Sequence, residues 1–207
     1  ALAACLVVFA AGCAPSSTSE PDAPITFVQI TDTHHGMSLH AYRFRTAIDR
    51  INNLPFDVDL VVHTGDFSSD NLYMDGVAAS ISNFLARIEA PVICAPGNHD
   101  LSYRSSDPVA RYAETVDMYR KYVGPLGQVY EAKGAVFIAV YTERLRKGEL
   151  PEIPGFDPLE WLEGELRKAK GKPVFIFTHV ADGPDFYNNE LHDGWPAENR
   201  DAWRKLL

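Results

Sequence analysis

Four short apolar runs, each ended by a metal-ligating or proton-transferring side chain, constrain this chain more than any other feature. Residues 25–30 lead into Asp32-Thr33-His34, and residues 60–62 lead into Gly65-Asp66. Residues 91–95 lead into Gly97-Asn98-His99-Asp100, and residues 173–177 lead into Thr178-His179. Runs of this length and composition read as buried strands. In open α/β sheets, ligands gather just outside the carboxyl ends of the strands. The pattern therefore predicts one polar site assembled from four loops.

Helical patterns separate the runs. A helix is expected over residues 42–53, where Phe44, Ala47, Ile48 and Ile51 recur at helical spacing, and another over 77–88 with Ile81, Phe84, Leu85 and Ile88 on one stripe. Strands are expected at 25–31, 60–64, 92–95 and 174–178. Strand–helix–strand alternation implies parallel pairing through right-handed crossovers. Residues 129–133 and 135–141, split by Gly134, read as an antiparallel hairpin. Asp157-Pro158 opens a helix with Asp157 at the N-cap, Pro158 at the first helical position and Glu160 at the capping-box position. Leu159, Leu162 and Leu166 form its apolar stripe, Gly171-Lys172-Pro173 ends it, and Pro196 starts a last helix containing Trp203 and Leu206.

The 207 residues are 46% hydrophobic and 23% charged, enough for one domain with a core of its own. A net charge of −9 disfavours sequence-independent binding of a nucleic-acid polymer. A small anion is still compatible, because bound cations invert the local field.

The first residues are of another kind. Residues 1–11 are almost wholly small or apolar, too few to span a bilayer but of the length of a signal-peptide core. Ala10-Ala11-Gly12-Cys13 resembles a bacterial lipobox, with Ala where Leu is usual; Leu2-Ala3-Ala4-Cys5 fits the pattern too, but has almost no apolar core before it. The expectation is a partial signal peptide over 1–13 with Cys13 as lipid anchor, a polar Pro-rich tether over 14–24, and a folded domain over 25–207. This places the protein in the bacterial cell envelope, periplasmic or membrane-anchored. Cys94, the remaining cysteine, reads as a buried structural thiol, so no internal disulfide is expected.

Asp32-Thr33-His34, Gly65-Asp66, Gly97-Asn98-His99-Asp100 and His179, in that order, resemble the calcineurin-like metallophosphoesterase family over residues 25–207. The resemblance implies an α/β fold of two facing mixed β-sheets flanked by helices, and a two-metal hydrolase. It assigns Asp32 and His34 to one metal, Asn98 and His179 to the other, and Asp66 to both, with His99 facing the substrate. It also implies a closing Gly-His-x-His segment, one His for each metal. His192 stands in Leu191-His192-Asp193-Gly194, which is not that motif, so the segment is expected beyond Leu207.

The chemistry of the residues agrees with these assignments. A shared carboxylate such as Asp66 places negative charge between two cations, and mixed imidazole and carboxylate ligands suit Mn, Fe or Zn. A metal-bridging hydroxide is the expected attacker on a phosphomonoester or phosphodiester at neutral pH. His99 is the expected proton donor to the leaving oxygen, with Asp100 holding its ring. Gly65 and Gly97 are expected to let the backbone turn sharply beneath the metals.

Of the other histidines, His35 is expected at the solvent or substrate lip, His63 as a structural residue, and His40 at a helix entrance. The loop with Tyr187, Asn188, Asn189 and His192 is a candidate cleft lining, and His192 a candidate replacement ligand. Purple acid phosphatases, a related branch, carry a Tyr three residues after the bridging Asp; Ser69 stands there, which argues against a tyrosinate-bound ferric ion. Asp70 and Asn71 read as turn residues. The alternative to an enzyme is a catalytically inactive envelope protein that keeps the fold for binding.

Overall fold

The computed structural model describes residues 24–35, 38–183 and 194–207. Its strands and helices come in the order β1 (Phe27–Ile30), α1 (Ser38–Asn52), β2 (Leu60–His63), α2 (Asp75–Leu85), β3 (Val92–Cys94), α3 (Pro108–Tyr122), β4 (Gly127–Ala132), β5 (Ala135–Val140), α4 (Glu143–Arg146), α5 (Pro158–Lys168), β6 (Val174–Phe177) and α6 (Ala197–Leu206).

Two three-stranded sheets result. The first, β1-β2-β3, is parallel throughout, with Phe27 opposite Leu60 and Val61 opposite Val92. The second, β4-β5-β6, is mixed: β4 and β5 form the antiparallel hairpin, and β6 runs parallel to β5 with Ile138 opposite Ile176. The hairpin turns on Lys133 and Gly134, both at positive φ (46° and 80°). Two consecutive left-handed residues match the right-handed twist of the strands they join.

The period-two alternation of strand side chains divides the core into layers. Leu60, Val62, Ile93 and Ala95 of the first sheet meet Ala132, Ala135, Phe137 and Ala139 of the second. The alanines let the two backbones approach. On the far side of the first sheet, Val61 and half-buried Val28 and Ile30 pack on Phe44, Ile48 and Ile51 of α1. On the far side of the second, Val136, Ile138 and Val140 pack on Leu162 of α5 and Trp203 of α6. The architecture is thus two facing sheets flanked by helices, as the family resemblance implies.

Helix α3 has no counterpart among the sequence expectations. Its signals were present: Asp107-Pro108 repeats the opening of α5, and Tyr112, Val116 and Tyr119 form a buried stripe. The side chain of Asp107 accepts from Ala110 N at 3.1 Å, while Asp157 caps α5 by accepting from Leu159 N and Glu160 N at 2.9 and 3.0 Å. An N-cap of this kind contributes about 1 kcal/mol. Among the described residues, no helix is long and apolar enough to cross a membrane. Cys94 is buried and unpaired, and burial with the Asp100 carboxyl nearby raises its thiol pKa far above the ordinary range. The expected leader and tether, up to residue 23, and the loop holding Tyr187, Asn188, Asn189 and His192 lie outside the described residues.

Candidate metal centre

The carboxyl ends of β1, β2, β3 and β6 converge, and the loops after β1 and β2 stay zipped past the end of the ladder. Asp32 N donates to Gly65 O at 3.0 Å, His34 N to Asp66 O at 2.9 Å, and His35 N to Phe67 O at 2.5 Å. This pairing holds three acidic or imidazole-bearing residues in left-handed backbone: Asp32 (φ 54°), His34 (φ 43°) and Asp66 (φ 55°). Such conformations cost roughly 1–3 kcal/mol each, less for Asp, and persist only where the surroundings impose them.

Asp66 is the hub. Its Oδ2 lies 3.6 Å from His34 Nε2 and 3.3 Å from His179 Nε2, and His34 Nε2 is 3.7 Å from Asp32 Oδ1. Asn98 Oδ1 stands 3.1 Å from His179 Nε2. Asp32, Asp66 and His179 each offer a donor atom within 4.8 Å of the others. The structure therefore brings together all five residues assigned to metal from the sequence.

Both imidazoles are oriented from behind. His179 Nδ1 donates to Thr64 O at 2.8 Å, and His34 Nδ1 donates to Ser68 O at 3.1 Å, with Ser69 Oγ at 3.2 Å. A neutral ring with its proton on Nδ1 presents a lone pair at Nε2. Each Nε2 then faces oxygens that carry no proton to share, an arrangement that is repulsive until a cation enters it. Backbone carbonyls fixing the tautomer in this way are the usual support of metal-bound histidines. The donor set fits a first-row metal. Without metal, the same geometry favours a proton: burial opposes charge on His179, but the hydrogen bond and charge of Asp66 prevail and lift its pKa to about 9. Asp66 is correspondingly held below the ordinary carboxylate range; its burial works against this, and His179 with the backbone N–H of His99 outweighs it.

Several expectations are corrected here. Asp100 does not touch the His99 ring. Its carboxyl is buried, with Oδ1 accepting from Ser68 N at 2.9 Å and Oδ2 from Gly97 N at 2.9 Å. It joins the Gly97–Asp100 turn to the loop after β2, and burial together with the nearby Asp66 charge raises its pKa to about 7. The ring of His99 is held instead by Asp70, whose Oδ2 accepts from Nδ1 at 3.0 Å and from Arg104 at 2.9 Å. Asp70 does sit in a turn (φ 61°), but its side chain belongs to the site. An Asp four residues after Asp66 was the one sequence signal available for this pair.

His35 is not at the lip. It is buried, with Nε2 2.8 Å from Ser80 Oγ on α2 and its ring edge-on to Phe84. Neighbouring side chains diverge, so His34 faces the site while His35 pins the loop to the helix behind it. His63 has the expected structural place. Its Nδ1 accepts from Gly65 N at 3.1 Å, its Nε2 donates to Thr33 Oγ1 at 3.1 Å, and its ring stacks on Phe67. His40, in the first turn of α1, donates from Nδ1 to His34 O at 3.0 Å.

The glycines serve close approach more than turning. Gly65 has φ 103°, and a Cβ on it would lie 2.7 Å from Gly97 Cα; a Cβ on Gly97 would lie 2.9 Å from Asp66 Cγ. Gly97 is not in positive-φ backbone, so its smallness leaves room for the Asp66 carboxylate rather than for a sharp turn.

Residues 25–204 match the family model of the calcineurin-like phosphoesterases, and the chain belongs to that family. Among solved structures, it is similar to a dimetal phosphatase from Danio rerio, with a TM-score of 0.55 at 17% identity over 88% of this chain and 77% of that one. It is also similar to the purple acid phosphatase PPD1 from yellow lupin (Lupinus luteus) seeds, with a TM-score of 0.54 at 17% identity over 91% of this chain. The chain spans 37% of the length of that phosphatase. These likenesses concern the fold. No curated protein is similar enough in sequence to match.

Proposed function

We propose that this protein is a metal-dependent phosphoesterase with a dinuclear centre, hydrolysing a small phosphomonoester or phosphodiester. One observation carries the reading: His34 Nε2 and His179 Nε2, each fixed by a carbonyl behind it, face the same Asp66 oxygen at 3.6 and 3.3 Å. Membership of the calcineurin-like phosphoesterases and the fold shared with a dimetal phosphatase support it.

Asp32 and His34 would hold one metal ion and Asn98 and His179 the other, with Asp66 common to both. Mn, Fe or Zn suit this set of nitrogen and oxygen donors. When bound, the metals supply Lewis acidity toward the phosphoryl oxygens and a nucleophilic water at neutral pH. The remaining work belongs to the chain. Asn98 contributes a neutral amide oxygen where a phosphate must approach. His99, its Nδ1–H hydrogen-bonded to Asp70, would act as the doubly protonated imidazolium: the Nε2 proton passes to the leaving oxygen and the ring is left neutral with its proton on Nδ1. Arg104 keeps the Asp70 carboxylate in place.

The sequence of residues 1–24 supports export to the bacterial envelope with a lipid anchor on Cys13, a part of the reading that rests on those residues alone. Incorporation of labelled fatty acid that is lost in Cys13→Ser tests it; incorporation that survives there and is lost in Cys5→Ser moves the anchor.

The test of the enzyme is metal content together with hydrolysis of bis-p-nitrophenyl phosphate in added Mn²⁺. Two metals per chain with turnover establish the dinuclear phosphoesterase. Neither metal nor turnover overturns it in favour of an inactive binding protein on the same fold.

A further inference from the structure

Beside the metal-ligand cluster lies a cavity of about 500 Å³ that the chemistry above does not use. One wall is the loop after β1, including the cluster residues Asp32 and His34. The other is a single face of α1, where His40, Arg43, Phe44 and Ala47 follow at helical spacing. Its size is that of pockets holding small organic ligands.

The lining has a polarity. Half-buried Ile30 and Ala47, over the buried Phe44, offer a carbon surface, which suits the body of a small alcohol better than bulk water. On the side of Asp32, Thr31 Oγ1 donates to Asp32 Oδ2 at 2.6 Å, and the other oxygen of that carboxylate faces His34. Arg43 is the guanidinium in this lining, and among the described residues it enters no ion pair. His40 is engaged through Nδ1 with His34 O, so α1 is tied to the ligand loop and Arg43 is carried at a set place relative to the metals. In a chain with a net charge of −9, an uncommitted guanidinium beside the catalytic carboxylates is a feature to account for.

We propose that this cavity is the subsite for the alcohol part of the substrate, and that Arg43 selects an alcohol carrying a second anionic group on a small carbon body. The inference rests on the phosphoesterase reading and sharpens it. The scissile phosphate sits at the Asp66 centre, the ester carbon lies against Ile30 and Ala47, and the far anion reaches Arg43. Phosphoesters with neutral alcohols fill the same space without that ion pair.

The test compares two phosphonates that cannot be hydrolysed, 4-carboxybenzylphosphonate and 4-carbamoylbenzylphosphonate, by calorimetry on the full Mn²⁺-loaded chain. The carboxylate is expected to bind about fivefold more tightly, the order of one partly exposed ion pair, and the preference should shrink in high salt. In Arg43→Gln the ratio of the two affinities should fall to about one. Equal affinities in the unaltered protein, or a preference that survives Arg43→Gln, overturn the subsite and leave the phosphoesterase reading standing. If neither phosphonate binds although Mn²⁺ does, the phosphoester reading falls and the subsite with it.

Discussion

His99 Nδ1 donates to Asp70 Oδ2 over 3.0 Å, and Arg104 Nη1 donates to the same oxygen over 2.9 Å. The first bond engages Nδ1 of His99 and leaves Nε2 for the proposed proton transfer, and the second fixes the carboxylate. A proton donor in the transition state is worth about 10²–10⁴ in rate, and its orienting partner carries part of that. His99→Asn should therefore slow phosphoesters with poor leaving groups about a hundredfold or more, while bis-p-nitrophenyl phosphate changes a few-fold. Asp70→Asn should show the same split at smaller amplitude, and the double variant little more than His99→Asn alone. Steady-state rates across a series of leaving groups check this. Equal losses for good and poor leaving groups would remove the acid role.

Asp66 accepts from His99 N through Oδ1 and faces both imidazoles through Oδ2. Asp66→Asn keeps an acceptor for the backbone and removes the charge that the proposed metal pair would share, so the fold should survive while metal affinity falls by at least about a hundredfold. Metal content by mass spectrometry with the far-UV spectrum as a fold control decides it. An unchanged metal count would take Asp66 out of the bridge.

Glycine substitutions should divide by location. Gly97→Ala places a methyl against the Asp66 carboxylate and should cost about 1–3 kcal/mol along with metal affinity. Gly164→Ala, inside α5 with nothing within 4 Å of the new methyl, should stabilise by about 0.5–1 kcal/mol. Urea denaturation of the metal-free proteins gives both numbers.

The pH dependence of stability should carry the mark of His63. Burial, with the His179 charge adding to it and Asp66 opposing, lowers its pKa from 6.5 to about 3. Between those values the unfolded chain binds a proton that the folded chain refuses. The contribution of neutral His63 is therefore fully present above pH 6.5 and is lost as pH falls toward 3. From pH 6.5 to 5 the loss is about 1.5 kcal/mol. Asp100 acts with the opposite sign: its raised pKa, about 7 against 3.8 when unfolded, gives stability that declines as pH rises through that range. The His63→Gln variant isolates the first effect, because its amide still accepts from Gly65 N without titrating. The stability difference between wild type and variant, measured in chelator, should fall with acid; a flat difference would mean that His63 charges inside the fold.

Much of the fold was legible because its signals are local. The β-strands of the first sheet are short apolar runs, the hairpin turn is marked by Gly134, which takes positive φ freely, and Asp157-Pro158 starts α5 by a cap that involves three neighbouring positions. The same local rule would have found α3 at Asp107-Pro108. Other features depend on what lies behind a residue in space. His35 is polar in sequence and buried in the fold because Ser80 and Phe84 of α2 stand behind it.

For the site, the sequence by itself determined the inventory and its order: Asp32, His34, Asp66, Asn98, His99 and His179, each just past an apolar run, because the carboxyl ends of parallel strands share one edge. Only the tertiary structure decided which groups act on which. Asp100 adjoins His99 in the chain, yet the turn sends its carboxylate inward to Ser68 and Gly97, and Asp70 from another loop takes the imidazole. Adjacent side chains point apart, whereas hydrogen bonds join atoms that packing brings within 3 Å. Spacing along the chain carries the first fact, and only the packed loops carry the second.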